Sequence, residues 1–263
     1  MTTKSREGND CTDQSVPGGA LSSAPRTALV TGGSRGIGAA ITRALSARQL
    51  RVACTYRSSR DEAERICTEL PVQALALPFQ LGDPESAHSV VGSVLREWGR
   101  LDALVLNAGM WRGGRVDTLD PTQWWGVLEA NVGGNAHLVR AALPALREGT
   151  NPSITFISSV VGLRGFAGDT AYGSAKAALI GFARSLAKEL GRDGIRVNVL
   201  APGYVETDMT AAVPDSSRRR IAQRVVMRRF GSADEIAAAA VFLAEDATYC
   251  TGTVLVVDGG WSL

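Results

Sequence analysis

Tyr172 and Lys176 stand four residues apart in Ala-Tyr-Gly-Ser-Ala-Lys, thirteen residues after Ser159. On a helix, positions i and i+4 share a face, so the phenol and the ammonium would be neighbours. A cation beside a phenol favours the phenolate and is expected to lower the Tyr172 pKa towards working pH, making a tunable acid. A serine hydroxyl supplied from another element could bind the same substrate oxygen. Alone, Tyr-x-x-x-Lys is a weak signal, because surface helices carry both residues by chance. Its meaning depends on the elements that would position it.

The first of these lies near the start of the chain. Thr27-Ala-Leu-Val-Thr31 reads as a short apolar strand, Gly32-Gly33-Ser34-Arg35-Gly36-Ile37-Gly38 as a glycine-rich turn, and the residues from Ala39 as a helix. Strand, glycine turn and helix in that order make a diphosphate cradle. Glycine lets the backbone take positive φ and approach a ligand, while the helix N-terminus offers free N–H groups to an anion.

Further along, apolar strands alternate with amphipathic helices. Strands are expected at 27–31, 51–56, 73–79, 102–107, 153–158, 195–200 and 253–257, and helices at about 35–48, 60–70, 84–98, 121–145, 171–191 and 232–245. This alternation predicts an α/β fold: one Rossmann-like, doubly wound domain over residues 26–263, with a seven-stranded parallel sheet covered on both faces. Asp120-Pro121 and the capping box Ser232-Ala-Asp-Glu235 mark two helix starts. Residues 1–25 lack periodicity and read as a flexible tail.

Taken together, Thr31–Gly38, Asn107-Ala108-Gly109, Asn131, Ser159, Tyr172-Gly-Ser-Ala-Lys176 and Pro202-Gly203-Tyr204-Val205-Glu206-Thr207 resemble the short-chain dehydrogenase/reductase family, in its order and spacing, over about residues 25–263. The nearest flavour is similar to the 3-oxoacyl-carrier-protein reductases, through Ser158-Ser159-Val160-Val161-Gly162, Gly203–Thr210 and Val257-Asp258-Gly259-Gly260. The resemblance implies a catalytic set of Asn131, Ser159, Tyr172 and Lys176. Tyr172 would protonate a ketone oxygen that the Ser159 hydroxyl stabilises, and Lys176 would also bind the nicotinamide ribose. Asn131 would hold a water linking Lys176 to solvent. Ser158 competes with Ser159, and the distance to Tyr172 favours Ser159.

The resemblance also implies a dinucleotide held by Gly32, Ser34, Arg35, Gly36, Ile37 and Gly38, by Asn107-Ala108-Gly109, and by Pro202, Gly203, Val205 and Thr207 around the nicotinamide. Leu81 would line the adenine pocket, where Gln80 replaces the family's usual acid. An NAD enzyme usually ends its second strand with an acid for the ribose 2′-OH. Here that position is Tyr56, followed by Arg57, and with Arg35 two guanidiniums could clamp a 2′-phosphate. NADPH/NADP+ is therefore the expected cofactor.

The expected function is NADPH-dependent reduction of a ketone, on a 3-oxoacyl thioester or a polyketide-type substrate of fatty acid or polyketide biosynthesis. A secondary-alcohol dehydrogenase acting on a steroid, sugar or other small molecule is the alternative within enzymes. A dinucleotide-binding sensor or scaffold is the alternative outside them. Residues 207–230 break the alternation and would form the family's mobile substrate lid. Six arginines there (218, 219, 220, 224, 228 and 229) make either a solvated helix face or a patch for an acidic acyl-carrier protein. The family is commonly tetrameric, with residues 121–145 and 171–191 at one interface, the last strand at another, and Trp261-Ser262-Leu263 near a neighbour's site.

Bulk properties exclude other classes. The 263 residues are 45% hydrophobic, enough for one domain core, and a net charge of +2 gives no global attraction to nucleic acid. No apolar run approaches a membrane span. Cys11, Cys54, Cys67 and Cys250 lack metal-ligand spacing and read as free thiols of a reducing, cytoplasmic setting. His88 and His137 have no evident partner, so no metal is expected. Asp258-Gly-Gly260 reads as a turn, and Trp111 and Arg112 either line the substrate mouth or merely pack.

Overall fold

The structure is a computed structural model that describes residues 24–211 and 213–263. Residues 1–23 of the expected tail, Cys11 among them, lie outside the described residues. Among the described residues, seven strands form one sheet: β1 (Thr27–Val30), β2 (Arg51–Tyr56), β3 (Ala74–Pro78), β4 (Ala103–Leu106), β5 (Ser153–Ile157), β6 (Arg196–Pro202) and β7 (Val254–Val257). Their order is β3-β2-β1-β4-β5-β6-β7, and every adjacent pair is parallel. The chain winds outward from β1 through β2 and β3, then returns to lay β4 on the other side of β1. The crevice outside the carboxyl ends of β1 and β4 is thus a topological switch point, where such sheets bind ligands.

Among the described residues, ten α-helices cover the faces and ends: α1 (Gly36–Ala47), α2 (Arg60–Glu69), α3 (Pro84–Trp98), α4 (Pro121–Leu128), α5 (Gly134–Arg147), α6 (Val161–Arg164), α7 (Thr170–Leu190), α8 (Asp208–Ala211), α9 (Asp215–Arg224) and α10 (Ala233–Val241). Successive strand residues point to opposite faces, and β1 shows it. Leu29 joins the core under α3, α5 and α7, while Ala28 and Val30 join the core under α1 and α10. Fully buried Leu104 and Phe156 belong to the first core. Truncating Leu104 to Ala would cost about 2–5 kcal/mol of stability.

Helix starts follow the local chemistry. Asp83 accepts from the Glu85 amide at 2.9 Å, and Asp120 accepts from the Thr122 and Gln123 amides, each with proline next in line. Ser232 and Glu235 exchange side-chain and backbone hydrogen bonds in a complete capping box.

The helix expected over 121–145 is two helices joined by a π-turn at Glu129–Gly133, and the one expected over 232–245 ends in a second π-turn at Phe242–Asp246. The carbonyls freed at the second turn are not orphaned. The buried Arg196 guanidinium donates to the carbonyls of Leu243, Ala244 and Ala247 at 2.6, 2.6 and 3.0 Å.

Candidate active site

The glycine turn leaves β1 and enters α1 with no room for a side chain at Gly33 or Gly38. Gly32 and Gly36 have φ of 65° and 53°, a conformation that L side chains rarely adopt. A Cβ on Gly38 would stand 2.1 Å from the Gly32 carbonyl oxygen. The turn is fastened from below. Thr31 Oγ1 accepts from the Asn107 and Ala108 amides at 3.0 and 2.9 Å, and Asn107 Nδ2 donates to the Thr31 and Gly32 carbonyls at 2.9 and 3.2 Å. Asn107 therefore braces the cradle from the end of β4, and Ala108 packs against Gly32.

At the N-terminus of α1, Arg35 is extended and makes no side-chain cap, and the first turn carries no acid. Amides left uncapped at a bare, glycine-lined helix start suit the diphosphate of a dinucleotide. A Cβ on Gly36 would meet Thr207 Cγ2 at 3.4 Å, so Thr207 closes the opposite wall of the crevice. Pro202 ends β6, and the Gly203 amide donates to the Val257 carbonyl at 3.0 Å. Val205 is buried and bridged to Gly231.

Tyr56 ends β2 without an acid beside it, and Arg57 follows, exposed. Among the described residues, neither Arg35 nor Arg57 is paired with a carboxylate. Arg57 lines a hollow of about 360 Å³ with Phe79 and Gln80. Leu81 packs against Gly134.

Across the crevice, β5 runs into Ser158 and Ser159. The two serines divide their work. Ser158 is buried and donates to the Lys176 carbonyl at 2.7 Å, tying the end of β5 to α7. Ser159 Oγ accepts from the Val161 amide at 3.2 Å and lies close enough to the Tyr172 phenol to pull its pKa down. Lys176 is only 4% exposed, and its Nζ donates to the Ile157 carbonyl at 2.8 Å. The ammonium lies 5.5 Å from the centroid of the Tyr172 ring. A Cβ on Gly109 would sit 3.4 Å from Lys176 Nζ and 2.8 Å from Asn131 Oδ1, so these three residues meet at one point.

Asn131 lies inside the first π-turn, fully buried. Its amide is spent on protein, not held open: Nδ2 donates to the Met110 and Val127 carbonyls at 2.7 and 2.8 Å, and Oδ1 accepts from the Met110 amide at 3.2 Å. Asn131 thereby pins the segment after Gly109 beside Lys176.

The expected lowering of the Tyr172 pKa by Lys176 is not what this structure holds. Burial pushes the phenol up to about 12, the Asp169 carboxylate pushes in the same direction, and the Ser159 hydroxyl opposes them. Burial also pushes the Lys176 ammonium down to about 8. The ammonium is engaged with Ile157 and stands off the ring, so desolvation outweighs its attraction for a phenolate.

Asp169 is the functional neighbour that the sequence did not announce. It precedes Tyr172 by three residues and accepts from Trp111 Nε1 at 2.9 Å. Its own carboxyl is pushed up by partial burial, against the Trp111 hydrogen bond. The Gly114 amide donates to the Gly168 carbonyl at 2.7 Å, so the loop after Asn107-Ala108-Gly109 is laced to the start of α7. Trp111, 52% exposed, stands at the mouth.

The 207–230 segment is tied off at its root. The Glu206 amide donates to the Gly231 carbonyl and the Gly231 amide to the Tyr204 carbonyl, both at 2.9 Å. The six arginines are not one free patch. Arg218 donates to Glu206 and to the Thr210 carbonyl and stacks over Phe230, Arg229 pairs with Glu235, and Arg228 donates to the Gln223 carbonyl. Arg219, Arg220 and Arg224 remain exposed on α9. Trp261 packs against Tyr204 of its own chain at 5.8 Å, and Asp258 accepts from the Gly260 and Ser262 amides in the expected turn. Among the described residues there is no cluster fit to hold a metal and no helix long and apolar enough to cross a membrane.

A family model described as Enoyl-(Acyl carrier protein) reductase matches residues 32–262. The chain is 42% identical over 236 residues to the 3-oxoacyl-[acyl-carrier-protein] reductase FabG of Escherichia coli K12, spanning 89% of this chain and 96% of that one. The protein of the same name from Haemophilus influenzae is 39% identical over 236 residues, spanning 89% of this chain and 97% of its own. The one from Staphylococcus aureus Mu50 is 35% identical over 239 residues, with the same two shares, 89% and 97%.

Proposed function

The chain belongs to the short-chain dehydrogenase/reductase family, and from that premise we propose that it reduces the ketone of 3-oxoacyl thioesters with NADPH, the acyl group being delivered on an acyl-carrier protein. The observation that carries this reading is the meeting of Ser159, Tyr172 and Lys176 across the crevice from the uncapped glycine cradle.

NADPH supplies a hydride to the carbonyl carbon. The protein's part is to orient that carbon and manage the oxygen. Ser159 donates a hydrogen bond to the ketone oxygen, and Tyr172 gives it the phenolic proton as negative charge develops. A phenol held near 12 is neutral at working pH and so carries the proton that reduction needs. Lys176, behind the phenol, holds the ribose hydroxyls, and its charge becomes available to the phenolate left after transfer. Asn131 keeps the Met110 segment and Lys176 in register. Arg35 and Arg57 take the 2′-phosphate.

Residues 207–230 act as the substrate lid over the acyl chain, while Arg219, Arg220 and Arg224 face the acidic carrier. The protein works in the cytoplasm as a homotetramer. Trp125 on α4 is 64% exposed and Val256 on the edge strand β7 is 39% exposed, which suits two self-association faces.

The test is a substrate panel followed by NADPH absorbance: 3-oxoacyl thioesters on carrier protein and on a small thiol, the matching 2-enoyl thioesters, and simple ketones and secondary alcohols. The reading expects the 3-oxoacyl thioesters to have the highest kcat/KM and the enoyl thioesters to be inert. Preference for enoyl thioesters, or turnover confined to alcohols, would overturn it. Light scattering on the eluting peak checks the tetramer.

A further inference from the structure

Two thiols meet beneath the cofactor cradle. Cys54 on β2 and Cys67 near the C-terminal end of α2 have their sulfurs 3.6 Å apart. Cys54 is fully buried, whereas Cys67 is partly exposed. Between them the chain runs through Tyr56, Arg57, Ser58 and Ser59, the turn that follows the second strand. On its other side Cys54 is pressed against the glycine turn: a Cβ on Gly33 would stand 2.5 Å from Cys54 Cβ and 3.3 Å from its Cα. The neighbouring Thr55 holds that turn too, its carbonyl accepting from the Gly33 amide at 2.9 Å and its hydroxyl from the Gly32 amide at 3.0 Å.

We propose that Cys54 and Cys67 form a reversible disulfide under peroxide, and that this bond weakens NADPH binding. The reaction balances as two thiols plus one hydrogen peroxide giving one disulfide and two waters. Cys67, the accessible thiol, attacks as thiolate on a peroxide oxygen. The O–O bond breaks, hydroxide leaves, and Cys67 becomes a sulfenic acid. The sulfur of Cys54 then attacks the sulfur of Cys67, and the departing hydroxide carries away the Cys54 proton as water. Two electrons pass from the two sulfurs to the peroxide. The hydrogen bond between the two thiols, helped by burial, raises the Cys54 thiol, and the same bond lowers that of Cys67, which fits this order of attack.

A disulfide needs its sulfurs at about 2.05 Å, so the pair must close by roughly 1.5 Å. Cys54 has no slack on the side of the glycine turn. Closure therefore pulls Cys54 off the glycine turn it packs against or draws α2 towards the sheet, and either movement displaces the turn carrying Arg57.

The experiment treats the full chain with hydrogen peroxide, blocks residual thiols with iodoacetamide, and maps peptides by mass without reduction. NADPH affinity is titrated by fluorescence before oxidation, after it, and after dithiothreitol. A Cys54–Cys67 cross-linked peptide is expected, with the NADPH Kd raised about fivefold or more and restored by dithiothreitol. Cys67→Ser should lose both effects and Cys250→Ser should keep both. Cys54→Ala, which keeps the site small and apolar, repeats the test should Cys67→Ser misfold. Absence of the cross-link in the wild type, an unchanged Kd once it has formed, or a response that persists in Cys67→Ser and Cys54→Ala would overturn the proposal. Neither readout uses a ketone, so failure here leaves the substrate assignment standing, and the reverse holds.

Discussion

Trp111 donates its indole N–H to the Asp169 carboxylate at 2.9 Å, joining the loop after β4 to the residue that opens α7. The same carboxylate helps to hold the Tyr172 proton in place. Asp169 thus connects the mouth of the crevice with the acidity of the phenol, as a positioning residue.

Removing that charge should ease ionisation of Tyr172. For Asp169→Asn, the pH profile of kcat/KM for alcohol oxidation, the direction that needs phenolate, should move to lower pH by about one unit or less. A merely structural role would lower kcat/KM without moving the profile. Trp111→Phe, which keeps the ring and loses the donor, separates the two.

The serines offer a sharper contrast. Ser159→Ala should lower kcat by about a hundredfold or more, since it deletes a donor aimed at developing charge. Ser158→Ala should reduce stability by about 1 kcal/mol through loss of the bond to the Lys176 carbonyl, with kcat falling much less. Thermal melts and steady-state kinetics on both variants check this. Tyr172→Phe should lose about two to four orders of magnitude in turnover while still binding NADPH by fluorescence titration.

Cofactor preference should follow the exposed guanidiniums. A charge-assisted hydrogen bond contributes about 1.5–3 kcal/mol, so Arg57→Ala should cut kcat/KM for NADPH by about tenfold to a hundredfold and leave NADH almost unchanged. Equal losses with both cofactors would remove Arg57 from the 2′-phosphate site.

Lys176 supplies a pH signature. Its ammonium is pushed down to about 8 by burial, from an ordinary 10.5. NADPH Kd should therefore rise as pH climbs through about 8 and the cation is lost. Stability has the opposite sign. Between about 8 and 10.5 the unfolded chain binds the extra proton, so this group's contribution to folding improves as pH rises through that window. Lys176→Met should flatten both dependences.

Much of this architecture was written in the chain. Apolar runs bounded by turn residues located all seven strands to within about two residues of where they stand. Asp120-Pro121 and Ser232–Glu235 marked helix starts because capping depends on residues close in sequence. The π-turns did not show, because one extra residue per turn leaves the apolar periodicity nearly intact. Trp111 and Asp169 are 58 residues apart, and no local pattern predicts that two loops will meet. The acidity of Tyr172 is hidden for a related reason. Spacing gives the neighbour, whereas desolvation and the standoff of Lys176 belong to the folded site. Ser158 and Ser159 are alike in sequence, and only the fold separates their surroundings: Ser158 is committed to the Lys176 carbonyl. Of the six arginines, Arg218 and Arg229 find carboxylates that the sequence places 12 and six residues away.

The pairing of residues 204–206 with Gly231 has an evolutionary consequence. An excursion tied to the scaffold at this clasp, and again where the Met227 amide donates to the Gly259 carbonyl at 3.0 Å, can gain or lose residues between those ties at little thermodynamic expense, since closing a longer loop costs only slowly more. With that stretch as the proposed lid, descendants of this gene can rewrite what they accept by editing it, with the hydride and proton machinery inherited intact.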